Sequence, residues 1–397
     1  MNIDHATERL LQTCQLLYTD CARGSLEKLV FGTGAVPVSQ ITDCSDETGS
    51  NVCEWTTIRS RETVTLEAPP CIGPMPTTIT EKIGTHRRES ITIHQIQDVQ
   101  LVGPDALPIT SNGSILLEGV EGSSARALDA HVRAVADGTV PVRRTASSEY
   151  DWGVSLAGPW SDQFFHWFVE YLPRLIVVME HADEHGLDIV YFVPSDAPNW
   201  VLQSLELFGV SDDQLIPWSG GRANVTNLLL PSLWRLTPDQ GSTEGYTHSP
   251  RGIHEVADRL RTAVDEQSVR PEVGPRLFVS RSGAATRNVL NETALQPVFD
   301  EYGFDVVQPE TWPVDEQIAT FARADVIAGP HGGGLTNAMY ASEPTVIEIF
   351  GENTNACYFS LFAGSGWEYG LVNGDAVGSD IRVDPDEFRR VCERMIT

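Results

Sequence analysis

Of the 397 residues only Lys28 and Lys82 are lysine, and 55 Asp and Glu stand against 27 Lys and Arg, a formal net charge of −28. So little positive charge excludes a free nucleic-acid surface, because the phosphate backbone would be repelled. A phosphate-bearing ligand must instead meet a local basic pocket, built mainly of arginine. Acid-rich, lysine-poor composition is also that of proteins from salt-loving cytoplasms, where ions screen the self-repulsion, and we expect a halophilic setting. Long apolar runs are missing too: none approaches the roughly 18 residues of a membrane span. The N-terminus lacks the basic-then-apolar pattern of a secretory leader. The expectation is a cytoplasmic protein, at most held at the inner face of the cell membrane. The seven cysteines (14, 21, 44, 53, 71, 357 and 392) include no C-x-x-C pair, which removes the common zinc spacings and a disulfide framework.

What the chain does contain changes in texture along its length. The opening IDHATERLLQTCQLLYTDCARG has helical periodicity ended by Gly24, and its polar face is not basic, so it is expected to dock on protein rather than enter a membrane. Short β-prone pieces such as ETVTLEA follow. From 89 to 120 the pattern alternates and turns at Gly and Pro, as several short strands with a hairpin at Asn112-Gly113. DQFFHWFVEYLPRLIVVMEHADEHG reads as a long helix with Pro173 as a kink or junction. Strand-like and helix-like pieces then alternate to about 231, and PDQGSTEGYTHSPRG (238–252) is the best linker. Beyond it, strands at 276–280, 304–308, 325–329 and TVIEIF are separated by helices, as three right-handed βαβ crossovers of a doubly wound parallel sheet. Its ligands belong at the carboxyl ends of the strands. The division expected is 1–88 (N-terminal helix and variable β/loop region), 89–245 (acceptor-side domain), 246–380 (nucleotide-binding, Rossmann-like) and a C-terminal helix over 381–397. The fold class is α/β.

Three stretches carry chemistry. In GPHGGGLTNAMY, Gly332, Gly333 and Gly334 follow a strand and His331, so bare backbone and helix N–H groups can approach a phosphate. A tight strand-to-helix turn would use the same glycines, and His331 would then cap it. Glu348 closes the next strand, where a carboxylate can accept from ribose hydroxyls or be solvated. SRSGAATRN places Arg281 and Arg287 after a strand of the same sheet, on the same edge, where two guanidiniums would neutralise a diphosphate. In SDQFFHWFVEYLPRL, His166 and Glu170 share a helical face at i, i+4 and could take a proton from a hydroxyl. The local pattern alone favours a core histidine there. HADEH (181–185) mimics a metalloprotease motif but Gly186 ends its helix at once, and DPD (384–386) reads as a helix cap rather than a metal motif.

With these residues in place, the chain resembles the family 61 glycosyltransferases, once a domain-of-unknown-function family. The likeness lies in IQDVQLVGPDALPITSNGSILLEG, FFHWFVEYLPRL, VSRSGAATRNVLNE and, most specifically, GPHGGGLTNAMYASEPTVIEIF. The resemblance implies a GT-B-like fold of two Rossmann-like domains facing a cleft, with a β-rich N-terminal segment. It implies inverting, metal-independent transfer from a nucleotide sugar, UDP-type favoured, to a hydroxyl of a glycan, glycolipid or glycoprotein, without a cofactor. Carried over, Arg281, Arg287, His331, Gly332, Gly333, Gly334, Leu335, Thr336 and Asn337 would hold the diphosphate, Glu348 would lie near the nucleoside, and His166 or Glu170 would be the base. Gly333 stands where the family commonly has alanine. A polysaccharide pyruvyl transferase and a non-catalytic sugar-nucleotide-binding subunit are the other readings.

Overall fold

The apolar runs VIAGP and TVIEIF form the middle of an all-parallel six-stranded sheet. Its order is Asp305–Val307, Arg276–Val279, Val326–Pro330, Thr345–Phe350, Tyr369–Asn373 and Cys71–Ile72. The computed structural model describes residues 35–36, 52–111, 113–120, 130–134, 149–238, 247–264, 270, 272–352 and 355–396. The expected N-terminal helix, Asn112 of the hairpin and residues 239–246 of the linker lie outside them. Strand side chains alternate between two faces. Leu277, Val279, Ile327, Val346 and Phe350 belong to one apolar cluster, while Phe278, Val326, Ala328, Ile347 and Ile349 belong to another. Helices Glu292–Tyr302 and Pro385–Met395 cover the second face through Leu295, Phe299, Phe388 and Val391. Burial on both faces is why these strands read as continuous apolar runs.

Local chemistry sets the helix ends. Gly303, at φ 70°, closes Glu292–Tyr302 in the left-handed conformation that glycine adopts without strain. Asp384 accepts hydrogen bonds from the N–H groups of Asp386 and Glu387, so DPD is a cap with proline at the first helical position. From Arg276–Val279 the chain crosses to Asp305–Val307 on one side, then returns to Val326–Pro330 on the other. The direction of winding therefore reverses between Arg276–Val279 and Val326–Pro330, and the loops leaving those two strands carry Arg281, Arg287 and the glycine run.

A nine-stranded mixed sheet lies elsewhere in the chain. Ile91–Val102 pairs antiparallel with Arg222–Pro231, after which Glu149–Ser155, Val190–Pro194 and Leu215–Trp218 continue in parallel. A third sheet, Thr247–His248, Arg235–Pro238, Gly84–Arg88 and Glu62–Leu66, is antiparallel. It corrects the linker expectation: Thr247, His248 and Ser249 are buried, and the Ser249 hydroxyl caps helix Pro250–Ala263 by accepting from the Gly252 N–H at 3.1 Å. Composition alone could not distinguish a polar linker from a capped strand end.

One apolar cluster runs from Val154, Trp167, Leu175 and Leu229 through Ile253 and Val256 to Leu277, Ile327 and Leu371. The long helix predicted around Pro173 is three segments: Phe164–His166, a π-helical turn Trp167–Tyr171 and Leu172–His185. Proline has no N–H for the carbonyl four residues back, and the turn before it widens so that the Leu172 N–H bonds Trp167 O, five back.

Candidate active site

The widened turn brings His166 and Glu170 together, with His166 Nδ1 2.7 Å from Glu170 Oε2. The other oxygen, Oε1, accepts from Arg235 Nη2 at 2.9 Å and from His248 Nε2 at 3.0 Å. Burial by itself would raise the Glu170 carboxyl, but the hydrogen bonds of His166 and His248, with the charges of His248 and Arg235, hold it well below the usual carboxylate range. Burial pulls the His248 imidazole down despite the pull of Glu170. An ionised carboxylate only accepts, so His166 Nδ1 carries the hydrogen, and in the neutral ring Nε2 keeps its lone pair.

A second histidine–glutamate pair is built on the parallel sheet. His331 Nδ1 is 2.5 Å from Glu348 Oε1, and the Tyr369 hydroxyl donates to Oε2. Burial first, then the Glu348 charge, keeps the Tyr369 phenol well above its ordinary pKa, so it remains a donor. Glu348, expected near the nucleoside, is fully buried. Strand alternation turns it inward with Val346 and Phe350, and both its oxygens are taken. Its effect is to fix the His331 ring, which stacks on Phe350 with centroids 5.9 Å apart.

The glycine run opens a 3-10 helix, Gly333–Tyr340. Tyr358 Oη donates to Gly332 O at 2.7 Å, so the Thr336 hydroxyl, 2.9 Å away, donates to Tyr358. A Cβ on Gly332 would lie 2.1 Å from Arg281 Nη1, and one on Gly334 2.8 Å from Val279 Cγ1. On Gly333 nothing would come nearer than Phe164 Cβ at 3.7 Å, so alanine is sterically acceptable there. Leu335 and Thr336, expected at the diphosphate, have buried side chains and line neither chamber described below. Asn337 bonds Gln317 Oε1 at 2.9 Å and borders the second chamber.

The pieces meet at a cavity of about 640 Å³ lined by His166, His248, Arg281, Arg287, His331, Gly332, Gly333 and Tyr358, with Lys82 and Trp160 at its wall. Arg281 bonds only the Thr286 carbonyl, at 3.1 and 3.2 Å. Burial, then the neighbouring Arg287 charge, lowers its pKa. Among the described residues neither guanidinium has a carboxylate within ion-pair distance, in a chain with a twofold excess of acids. Two guanidiniums without a carboxylate partner among the described residues, beside the Gly332–Gly333 backbone, have the chemistry to hold an anion. A second chamber of about 670 Å³ shares Phe164, Arg281 and Gly333 with the first and adds Trp200, Trp312 and Asn337.

The structure thus brings His166, Arg281, Arg287, His331, Gly332 and Gly333 to one cavity and sets Glu170 and Glu348 behind their histidines. His248, Arg235, Tyr358 and Lys82 escaped the sequence reading. The one available signal was for Lys82, through the rarity of lysine.

Residues 164–347 match the family described as Glycosyltransferase 61. A relative from Oryza sativa subsp. japonica, named Alpha-1,3-arabinosyltransferase XAT3, is 27% identical over 211 residues, which are 49% of this chain and 35% of that protein. The match therefore spans about a third of the length of that relative.

Proposed function

From the premise that residues 164–347 belong to the glycosyltransferase 61 family, we propose that the chain transfers a sugar with inversion from a nucleotide sugar to an acceptor hydroxyl. The observation that carries this reading is one cavity that joins a histidine with an open Nε2 to two arginines lacking carboxylate partners among the described residues. His166 Nε2 takes the proton of the acceptor hydroxyl, with Glu170 orienting the ring and balancing the charge that forms. The acceptor oxygen bonds to the anomeric carbon from the face opposite the leaving group, and the bond from that carbon to the diphosphate oxygen breaks. Its electrons leave on the nucleoside diphosphate, met by Arg281, Arg287, the Gly332–Gly333 backbone and His331. The aromatic second chamber takes the nucleoside, with Trp312 as a stacking wall and Asn337 Oδ1, buried without a partner, as an acceptor for a base N–H. UDP is the favoured nucleotide, and the name of the rice relative makes a pentose a candidate for the transferred sugar. Residues 89–245 and 246–380 are then the acceptor and donor halves of a GT-B-type fold.

A panel of nucleotide sugars, read by nucleotide release, tests this. His331→Ala and Arg281→Ala should each lower turnover by a factor on the order of 10²–10³ without lowering the melting temperature appreciably. Full retention of activity in both variants would sink the assignment, and binding of phosphoenolpyruvate in place of UDP would favour pyruvyl transfer.

A further inference from the structure

Trp312, Gln317, Asn337 and Gly334 border the second chamber and share a run of hydrogen bonds that ends at a backbone carbonyl on each side. Gln317, buried on helix Val314–Phe321, donates from Nε2 to Trp312 O at 3.0 Å. Its Oε1 accepts from Asn337 Nδ2 at 2.9 Å, and the same Nδ2 donates to Gly334 O at 3.2 Å. A carbonyl oxygen can only accept. Turning the Gln317 amide over would set its oxygen against Trp312 O, and turning Asn337 over would set its oxygen against Gly334 O. Reversing both keeps the bond between the two side chains but creates both repulsions. One arrangement therefore satisfies the run, and it spends both hydrogens of Asn337 Nδ2 inside the protein.

What remains is Asn337 Oδ1, buried and without a hydrogen-bond partner among the described residues, on a side chain that borders the chamber. An unpaired buried acceptor is costly. A ligand that brings an N–H to it is favoured, and one that presents a lone pair is opposed. Trp312 contributes to the chamber wall and supplies the carbonyl that anchors the run, so one residue sets both the aromatic wall and the direction of the acceptor.

On the reading that this chamber takes the nucleoside, we infer that Gln317 is a positioning residue that holds the Asn337 amide so that the base meets an acceptor. The chamber then selects a base with a ring N–H on its pairing edge, as uracil has, over one with a ring lone pair there, as cytosine has. Calorimetry on the full chain with UDP, CDP and inorganic pyrophosphate tests this, since the two nucleotides differ at that edge and hardly in size. UDP should bind at least about tenfold more tightly than CDP, the difference that one hydrogen bond to a buried acceptor makes. Gln317→Met, close in volume, leaves Asn337 Nδ2 bonded to Gly334 O alone, so the amide can turn its amino group to the base. UDP should then weaken and CDP strengthen until the two lie within about threefold, with pyrophosphate binding unchanged. A purely structural role for Gln317 would lower the melting temperature and leave the UDP-to-CDP ratio as it was, and that result overturns the inference. Equal binding of UDP and CDP by the unaltered protein also overturns it, with no variant needed. In that case tight UDP binding would leave the nucleoside reading standing, whereas pyrophosphate binding without either nucleotide would sink both.

Discussion

His166 Nδ1 lies 2.7 Å from Oε2 of Glu170, and the π turn that starts at Trp167 aligns them. Glu170 is buried and engaged by three donors, so it is the poorer candidate to take a proton from a substrate. His166→Ala should lower turnover by about 10²–10⁴ with UDP affinity unchanged. Glu170→Gln should lower it less, by about 10–10², while costing roughly 3 kcal/mol of stability because Arg235 and His248 lose their counter-charge. Single-turnover kinetics and urea unfolding read the two effects separately. The reverse order of turnover losses would make Glu170 the base.

The three glycines after His331 should respond differently to alanine. Gly333→Ala should be near neutral, since its Cβ would have 3.7 Å of clearance. Gly334→Ala presses on Val279 in the core and should cost about 1–3 kcal/mol of stability. Gly332→Ala collides with the tip of Arg281, which can move, so stability should hold while UDP affinity drops about tenfold. Melting curves paired with UDP titrations check the series. Equal losses of both quantities in all three would mean the loop tolerates no Cβ at all.

Acidification should destabilise the fold well above the usual carboxylate range. Burial pushes His94 down to about 4 from 6.5, and His248 is lowered in the same sense. Below pH 6.5 the unfolded chain binds protons that the folded chain refuses, so stability is intact above pH 6.5 and, for His94, falls toward pH 4. Glu170 adds a further loss below 4.5, as pH falls through its depressed value. Stabilities from urea unfolding at pH 7.5 and 5 should differ by roughly 2 kcal/mol on account of His94, with His248 adding in the same direction. His94→Gln should flatten the slope, and an unchanged slope would show that His94 is not the group responsible.

If Trp312 is the nucleoside wall, Trp312→Ala should weaken UDP by about tenfold and leave inorganic pyrophosphate binding unchanged, because stacking on an aromatic ring contributes about 1–3 kcal/mol per base. Equal weakening of both ligands would assign Trp312 to the anion site or to the fold, since its ring also carries the Arg270 guanidinium at 4.7 Å.

Much of the parallel sheet and its two ligand loops was legible because the demands are local. Buried strands need apolar runs, and the run of glycine after His331 marks backbone that passes close to Arg281 and Val279. The burial of Glu348 was legible too, since alternation from Val346 to Phe350 places it on an inner face. His248 and Tyr358 were not legible, since their roles exist only once strand Thr247–His248 and helix Cys357–Phe362 pack against the π turn and the glycine loop. The linker-like composition of 238–252 pointed away from His248 altogether.

The two-residue strand Cys71–Ile72 closes the edge of the sheet next to Tyr369–Asn373, and Cys71 meets Asn373 across 302 positions of chain. A ribosome releases residue 71 long before its partner exists, so this edge must stay open until about 300 further residues have been made. A fragment starting near residue 246 would expose an unpaired parallel edge at Tyr369–Asn373 and should self-associate. Supplying residues 52–90 in trans should return it to a monomer.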